Sequence, residues 1–113
     1  MRDKSVYIAT ALECIDLIQD YTASYTREKF LADRKTQDAV VRNLEVIGQA
    51  LKDFGLESLA EKVPQIPWSQ VAGMRNILAH EYLGVDMVMV WDTVQVYLQD
   101  LRQALNVFQE SSG

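Results

Sequence analysis

Residues 86–108 read Asp-Met-Val-Met-Val-Trp-Asp-Thr-Val-Gln-Val-Tyr-Leu-Gln-Asp-Leu-Arg-Gln-Ala-Leu-Asn-Val-Phe. Met87, Trp91, Val94, Leu98, Leu101, Leu105 and Phe108 follow one another at steps of four and three, the spacing that lays side chains along one face of an α-helix. Val88-Met89-Val90 alone would suit a strand, but a pattern sustained to Phe108 outweighs three residues. The spacing therefore predicts one helix without a break, capped at its start by Asp86.

Working back from that helix, Ile66-Pro67 opens another. Proline fits the first helical position, and the residue before it is pushed out of the helical region. The predicted helix runs from Pro67 through His80 and stops by Gly84. Residues 56 to 66, containing Val63-Pro64, read as the connector that precedes it. Earlier still, Val40, Leu44, Ile47, Leu51 and Phe54 recur at helical steps, with Gly55 where a left-handed stop is expected. A first helix spans about Lys4 to Tyr21, with Ile8, Leu12, Ile15 and Ile18 on its apolar face and Asp3 or Ser5 available as cap. Four amphipathic helices on short connectors bury their stripes only against one another. The expected fold is all-α, an up-and-down four-helix bundle with one or two short extra helical turns, forming a single domain over residues 1–113.

Composition agrees with such a domain. Of the 113 residues, 49% are hydrophobic and 24% charged, which excludes a disordered chain. Eleven basic residues against 16 acidic ones give a net charge of −5, so contact with nucleic acid has to be focused in a local cleft and not spread over the surface. Cys14 is the single cysteine, which leaves no intrachain disulfide and no cysteine zinc spacing. It sits among Leu12, Ile15 and Leu17 and reads as a small buried hydrophobe. With no signal-peptide core after Met1-Arg2-Asp3-Lys4-Ser5 and no bilayer-length apolar run, a cytoplasmic protein without membrane contact is expected.

Gly48 and Gly73 each cost a helix about 1 kcal/mol relative to alanine, and close helix approach is the expected reason for both. Trp68 and Trp91 read as core or interface aromatics. Arg27, Lys29, Arg34, Lys35 and Arg42 are interleaved with Glu28, Asp33 and Asp38, as on a solvated mixed-charge surface; a patch near the chemical site would instead help hold an RNA backbone.

The chemistry concentrates in Arg75-Asn76-Ile77-Leu78-Ala79-His80-Glu81-Tyr82. His80 is the only histidine, and an imidazole with an ordinary pKa of about 6.5 takes and returns a proton near neutrality. Arg75 offers a permanent charge and a fork of donors for phosphate oxygens. Together they suit RNA cleavage, in which the substrate's 2′-hydroxyl is the nucleophile and neither metal nor cofactor is needed. Five helical residues place Arg75 and His80 about 140° apart around the axis, whereas Asn76 and His80 align. A broad groove, a helix that loosens near Gly84, or two copies meeting across a symmetric dimer would each reconcile that geometry. In a homodimer, two histidines could divide the roles of acid and base.

This segment, with Ile66-Pro67-Trp68 opening its helix and Ala72-Gly73-Met74 leading into it, resembles the HEPN superfamily, and within it the HepT-like ribonuclease toxins. Arg42-Asn43-Leu44-Glu45-Val46-Ile47-Gly48 and Gly84-Val85-Asp86 before Trp91-Asp92-Thr93-Val94 extend the resemblance over nearly the whole chain. It implies a helical bundle that dimerises so that two motifs line one cleft and cut RNA without a metal. Arg75 and His80 would then be catalytic and Asn76 a polar helper. Tyr82 matches the tyrosine that an MNT-type nucleotidyltransferase antitoxin modifies with AMP. A second class fits the same residues: a non-catalytic subunit that docks such a nucleotidyltransferase.

Overall fold

The longest helix begins where Asp33 leaves the extended region and its carboxylate accepts the Thr36 amide (3.2 Å). It ends at Gly55, whose φ of +121° is open to glycine and strained for other residues. This helix, α3 (Arg34–Phe54), follows α1 (Ser5–Thr22) and the single-turn α2 (Arg27–Leu31). After it come α4 (Leu56–Lys62), α5 (Trp68–His80), α6 (Met87–Asp92), a π-helical segment (Thr93–Tyr97) and α7 (Leu98–Ser112). The computed structural model describes the backbone of residues 3–80 and 86–112 and the side chains of residues 3–75 and 86–109.

Among the described residues the fold is all-α, a helical bundle with extra turns, as expected. Helix α3 is its spine: α1 and α5 both pack along it, and α7 packs on α1. The buried side chains form one cluster that includes Ile15, Ile18, Val40, Leu44, Ile47, Leu51 and Leu105. Complete burial of a Leu or Ile side chain contributes about 1.5–3 kcal/mol, so these stripes carry the stability of the bundle. The seam between α1 and α7 adds polar ties, with Arg102 reaching both Asp16 and Gln19. At the other end of the core, Trp68 donates its indole N–H to the Val63 carbonyl (2.7 Å) and meets Phe108 edge-on.

The expected start of α1 is met within a residue, and of its two candidate caps Asp3 is engaged, accepting the Ser5 amide at 2.9 Å. Thr26 caps α2, and the buried Gln37 of α3 donates to the carbonyls of Phe30 and Leu31, closing the C-terminal end of that short helix. Trp68 lies in the core as expected, and Trp91, at its margin, packs on Phe30 with ring centroids 5.3 Å apart.

Three expectations are corrected. The connector over residues 56 to 66 is half helix: α4 uses helix-favouring residues to drive Leu59 into the core, and only at Val63, before Pro64, does the backbone leave the helical region. Pro67 stands one place before the α5 helix, its carbonyl accepting the amides of Gln70 and Val71. The helix predicted to run unbroken from Asp86 to Phe108 contains the π-helical segment, in which the Leu98 amide reaches back five residues to the Thr93 carbonyl. Thr93 bonds its own hydroxyl to the Met89 carbonyl (2.9 Å), and the branched Thr93, Val94 and Val96 crowd a regular turn. The wider turn also keeps Val90, Val94 and Leu98 over the core, where a regular helix would carry them about 80° round across those two steps of four.

Candidate functional site

Helix α5 is regular in backbone from Trp68 through His80. Arg75 and His80 are therefore separated by about 140° of helical turn, and Asn76 and His80 occupy aligned positions. The side chains of Asn76 and His80, and Tyr82 altogether, lie outside the described residues, so Arg75 is the described member of the predicted site.

Arg75 is positioned by an unusually close contact between α3 and α5. A Cβ built on Gly48 would stand 3.0 Å from the Arg75 Cβ and 3.2 Å from the Ala72 carbonyl oxygen, so glycine at this point of α3 lets the α5 backbone lie against it. Here the expected reason for Gly48 is met. It is not met for Gly73, where an added Cβ finds nothing within 4 Å.

From that contact Arg75 faces a groove of about 710 Å³ between α1 and α3. Tyr7 and Thr10 come from the α1 side, and Arg42, Glu45, Gln49 and Asp53 from α3. The α3 residues stand along one side of that helix, with a basic residue at one end and an acidic one at the other. Gln49 donates to Asp53 (2.9 Å), and Asp3 of the α1 start also lines the groove. Arg42 lies towards the opposite end, 3.8 Å from Glu45. The Asp3 carboxyl is held below its ordinary value by the hydrogen bonds from Ser5.

The other basic residues follow the mixed-charge expectation. Arg34 pairs with Asp38 (3.2 Å), and the Lys29 ammonium lies 4.3 Å from the Tyr25 ring centroid, both away from the groove. Cys14 is buried, as expected, and burial pushes its thiol upward, with Glu13 adding to the shift and Arg42 opposing it. Among the described residues no helix is long and apolar enough to cross a membrane.

Comparison with known proteins places the molecule. Residues 11–108 match the family described as ribonuclease HepT-like. The chain belongs to that family. It is 41% identical to a candidate RNase of Methanocaldococcus jannaschii, over 99% of this chain and 93% of that protein. It is 40% identical to the probable ribonuclease HepT of Thermococcus cleftensis, over 89% and 91% of the two chains. A third relative, named as a gamma-glutamylcyclotransferase and candidate RNase of M. jannaschii, is 38% identical over 92% of this chain, which spans only 46% of that protein's length. No solved structure matches. The HepT-like resemblance read from the Arg75 to Tyr82 segment and its flanks is thus met, and with it the assignment to a ribonuclease family.

The groove of this HepT-like chain also brings in a residue that spacing alone did not place. Arg42 reads in the sequence as one of five basic residues on a charged surface, yet it shares the groove with Arg75. The available signal was Gly48, six residues further along α3, whose lack of a side chain marks where α5 crosses.

Proposed function

We propose that this protein is a metal-independent endoribonuclease acting as the toxin of a HepT/MNT-type toxin-antitoxin pair, with its catalytic cleft formed where two copies meet. The observation that carries the reading is Arg75, the arginine of the Arg-x4-His-x-Tyr motif, held at the wall of a groove of about 710 Å³ by the Gly48 contact in a chain of the ribonuclease HepT-like family. The angular separation of Arg75 and His80 on a regular helix favours two copies of α5 contributing to one site, since one copy does not present both groups on one narrow face.

In the proposed reaction the 2′-hydroxyl of RNA attacks the adjacent phosphorus, one His80 accepts its proton, and the 5′-oxygen leaves with a proton from the second His80. The products are a 2′,3′-cyclic phosphate and a free 5′-hydroxyl. Arg75 stabilises the charge that builds on the equatorial oxygens, and Asn76 holds a polar contact beside it. A nucleotidyltransferase antitoxin restrains the enzyme by moving AMP from ATP to the Tyr82 hydroxyl, with release of pyrophosphate. The bulky anion then repels the substrate phosphate.

The test is cleavage of RNA by purified protein in EDTA. The wild type cuts, while Arg75→Ala and His80→Ala, with unchanged circular dichroism, lose at least about a hundredfold in rate, the scale of a general acid-base or oxyanion-type group. Undiminished cleavage in either variant refutes the assignment. Mass analysis after coexpression with the antitoxin reads one added AMP, abolished by Tyr82→Phe.

A further inference from the structure

The groove that holds Arg75 is electrically polarised along α3, and the sense of that polarity assigns a role to Arg42. Arg75 lies level with Gly48, against which its Cβ packs. At 1.5 Å of rise per residue, Arg42 stands about 9 Å along α3 in one direction from that level, and Asp53 about 7.5 Å in the other. The N-terminal end of α1 lies by the Asp53 end, with the Lys4 ammonium 4.0 Å from the position of a Cβ on Gly55, so Asp3 joins Asp53 there. One end of the groove therefore holds the Asp3 and Asp53 carboxylates with the Lys4 ammonium close by, and the other the Arg42–Glu45 pair, so the Asp53 end is the more negative by about one charge, with Arg75 between them.

A polyanion lying over Arg75 extends more favourably toward Arg42 than toward Asp3 and Asp53. That side chain is suited to receive it: it is three-quarters exposed, and its ion pair with Glu45 spans 3.8 Å, too long for a hydrogen bond. Its fork of donors remains available to a phosphate, whose two oxygens it can engage side by side. Glu45, by contrast, is only 21% exposed and competes for the same guanidinium.

We propose that Arg42 is a positioning residue that grips an RNA backbone phosphate next to the scissile one, and that Glu45, competing for the same guanidinium, weakens this grip. Asp3 and Asp53 repel the strand at the opposite end, so the backbone runs from Arg75 toward Arg42. The proposal rests on the ribonuclease reading, but its test does not depend on catalysis.

Binding of a 2′-O-methyl RNA oligonucleotide, which lacks the attacking hydroxyl, is measured by fluorescence anisotropy across a salt series. Arg42→Ala is expected to raise Kd about fivefold, on the scale of one charge-assisted contact at an exposed site, and to reduce the slope of log K against log salt by about 0.7, one phosphate's share on a single strand. Glu45→Gln is expected to lower Kd about twofold by removing a competing charge. Arg34→Ala, paired with Asp38 away from the groove, serves as the control and leaves both quantities unchanged. With cleavable RNA, Arg42→Ala raises KM and leaves kcat near wild type.

An Arg42→Ala protein that binds like the wild type, or an Arg34→Ala protein that loses as much, overturns the positioning role. Either result leaves the ribonuclease reading standing if the wild type cuts RNA and Arg75→Ala does not. Wild-type protein that grips the oligonucleotide through Arg42 but never cleaves RNA supports the positioning role and sinks the ribonuclease reading instead.

Discussion

Replacing Gly48 with alanine sets two effects of known size against each other. An alanine inside a helix is worth about 1 kcal/mol more than a glycine, so α3 by itself would gain. The added methyl, however, meets the Arg75 Cβ at 3.0 Å and the Ala72 carbonyl oxygen at 3.2 Å. Neither is the far end of a flexible side chain; both move only if α5 moves. Forced overpacking of this kind costs about 1–3 kcal/mol, so the net change is a loss of about 1 kcal/mol. Gly73→Ala supplies the contrast in the same molecule, because an added Cβ there meets nothing within 4 Å and the helical gain of about 1 kcal/mol stands alone. Urea denaturation at one fixed protein concentration should place the two midpoints on opposite sides of the wild type with similar slopes, separated by about 2 kcal/mol. Because the clash displaces the helix that bears Arg75, Gly48→Ala should also lower RNA cleavage, which Gly73→Ala tests as the control. If Gly48→Ala stabilises as much as Gly73→Ala, the close-contact account of this pair of helices is wrong.

The Asp33 carboxylate accepts from the hydroxyls of Tyr25 (2.6 Å) and Thr36 (2.8 Å), and these bonds lower its pKa from 3.8 to about 2. A depressed value of this kind stabilises the fold fully above the unfolded value and is lost as pH falls through the folded one. The stability gap between wild type and Asp33→Asn should therefore close as pH drops from 3.8 towards about 2, read by denaturation midpoints; a gap independent of pH would contradict the assignment. Burial raises the Cys14 thiol, so a thiol-specific reagent at pH 8 should react slowly with native protein and rapidly in urea, and equal rates would show that the side chain is open to solvent.

The long helices were legible because each carries a stripe that only helical spacing explains: Ile8 to Ile18 in α1, Val40 to Leu51 in α3, Leu98 to Phe108 in α7. Helix α4 escaped because seven residues with one fully buried side chain, Leu59, hold too little pattern to detect. The π-helical turn escaped for a different reason. Steps of four and three are compatible with an unbroken helix, and the deviation is imposed by the core that Val90, Val94 and Leu98 must all reach. In the candidate site, Arg75 was legible from its motif, whereas its neighbourhood was not. Arg42 is 33 positions away, and only the packing of α5 at Gly48 brings both arginines to one groove.

The π-helical segment divides the last long stretch of helix into two halves with separate obligations. Upstream, Trp91 is keyed to Phe30 of α2; downstream, α7 is keyed to α1 through Arg102. A rigid rod joining two such anchors transmits any error in its length as a rotation of every later side chain, about 100° for each residue gained or lost. The wide turn at Thr93–Tyr97 already holds a surplus residue, so it works like an expansion joint: a one-residue deletion in that span can relax to an ordinary turn, while the same deletion in α7 would swing Leu101, Leu105 and Phe108 out of the core. Change in chain length among descendants of this fold should accordingly collect at that joint.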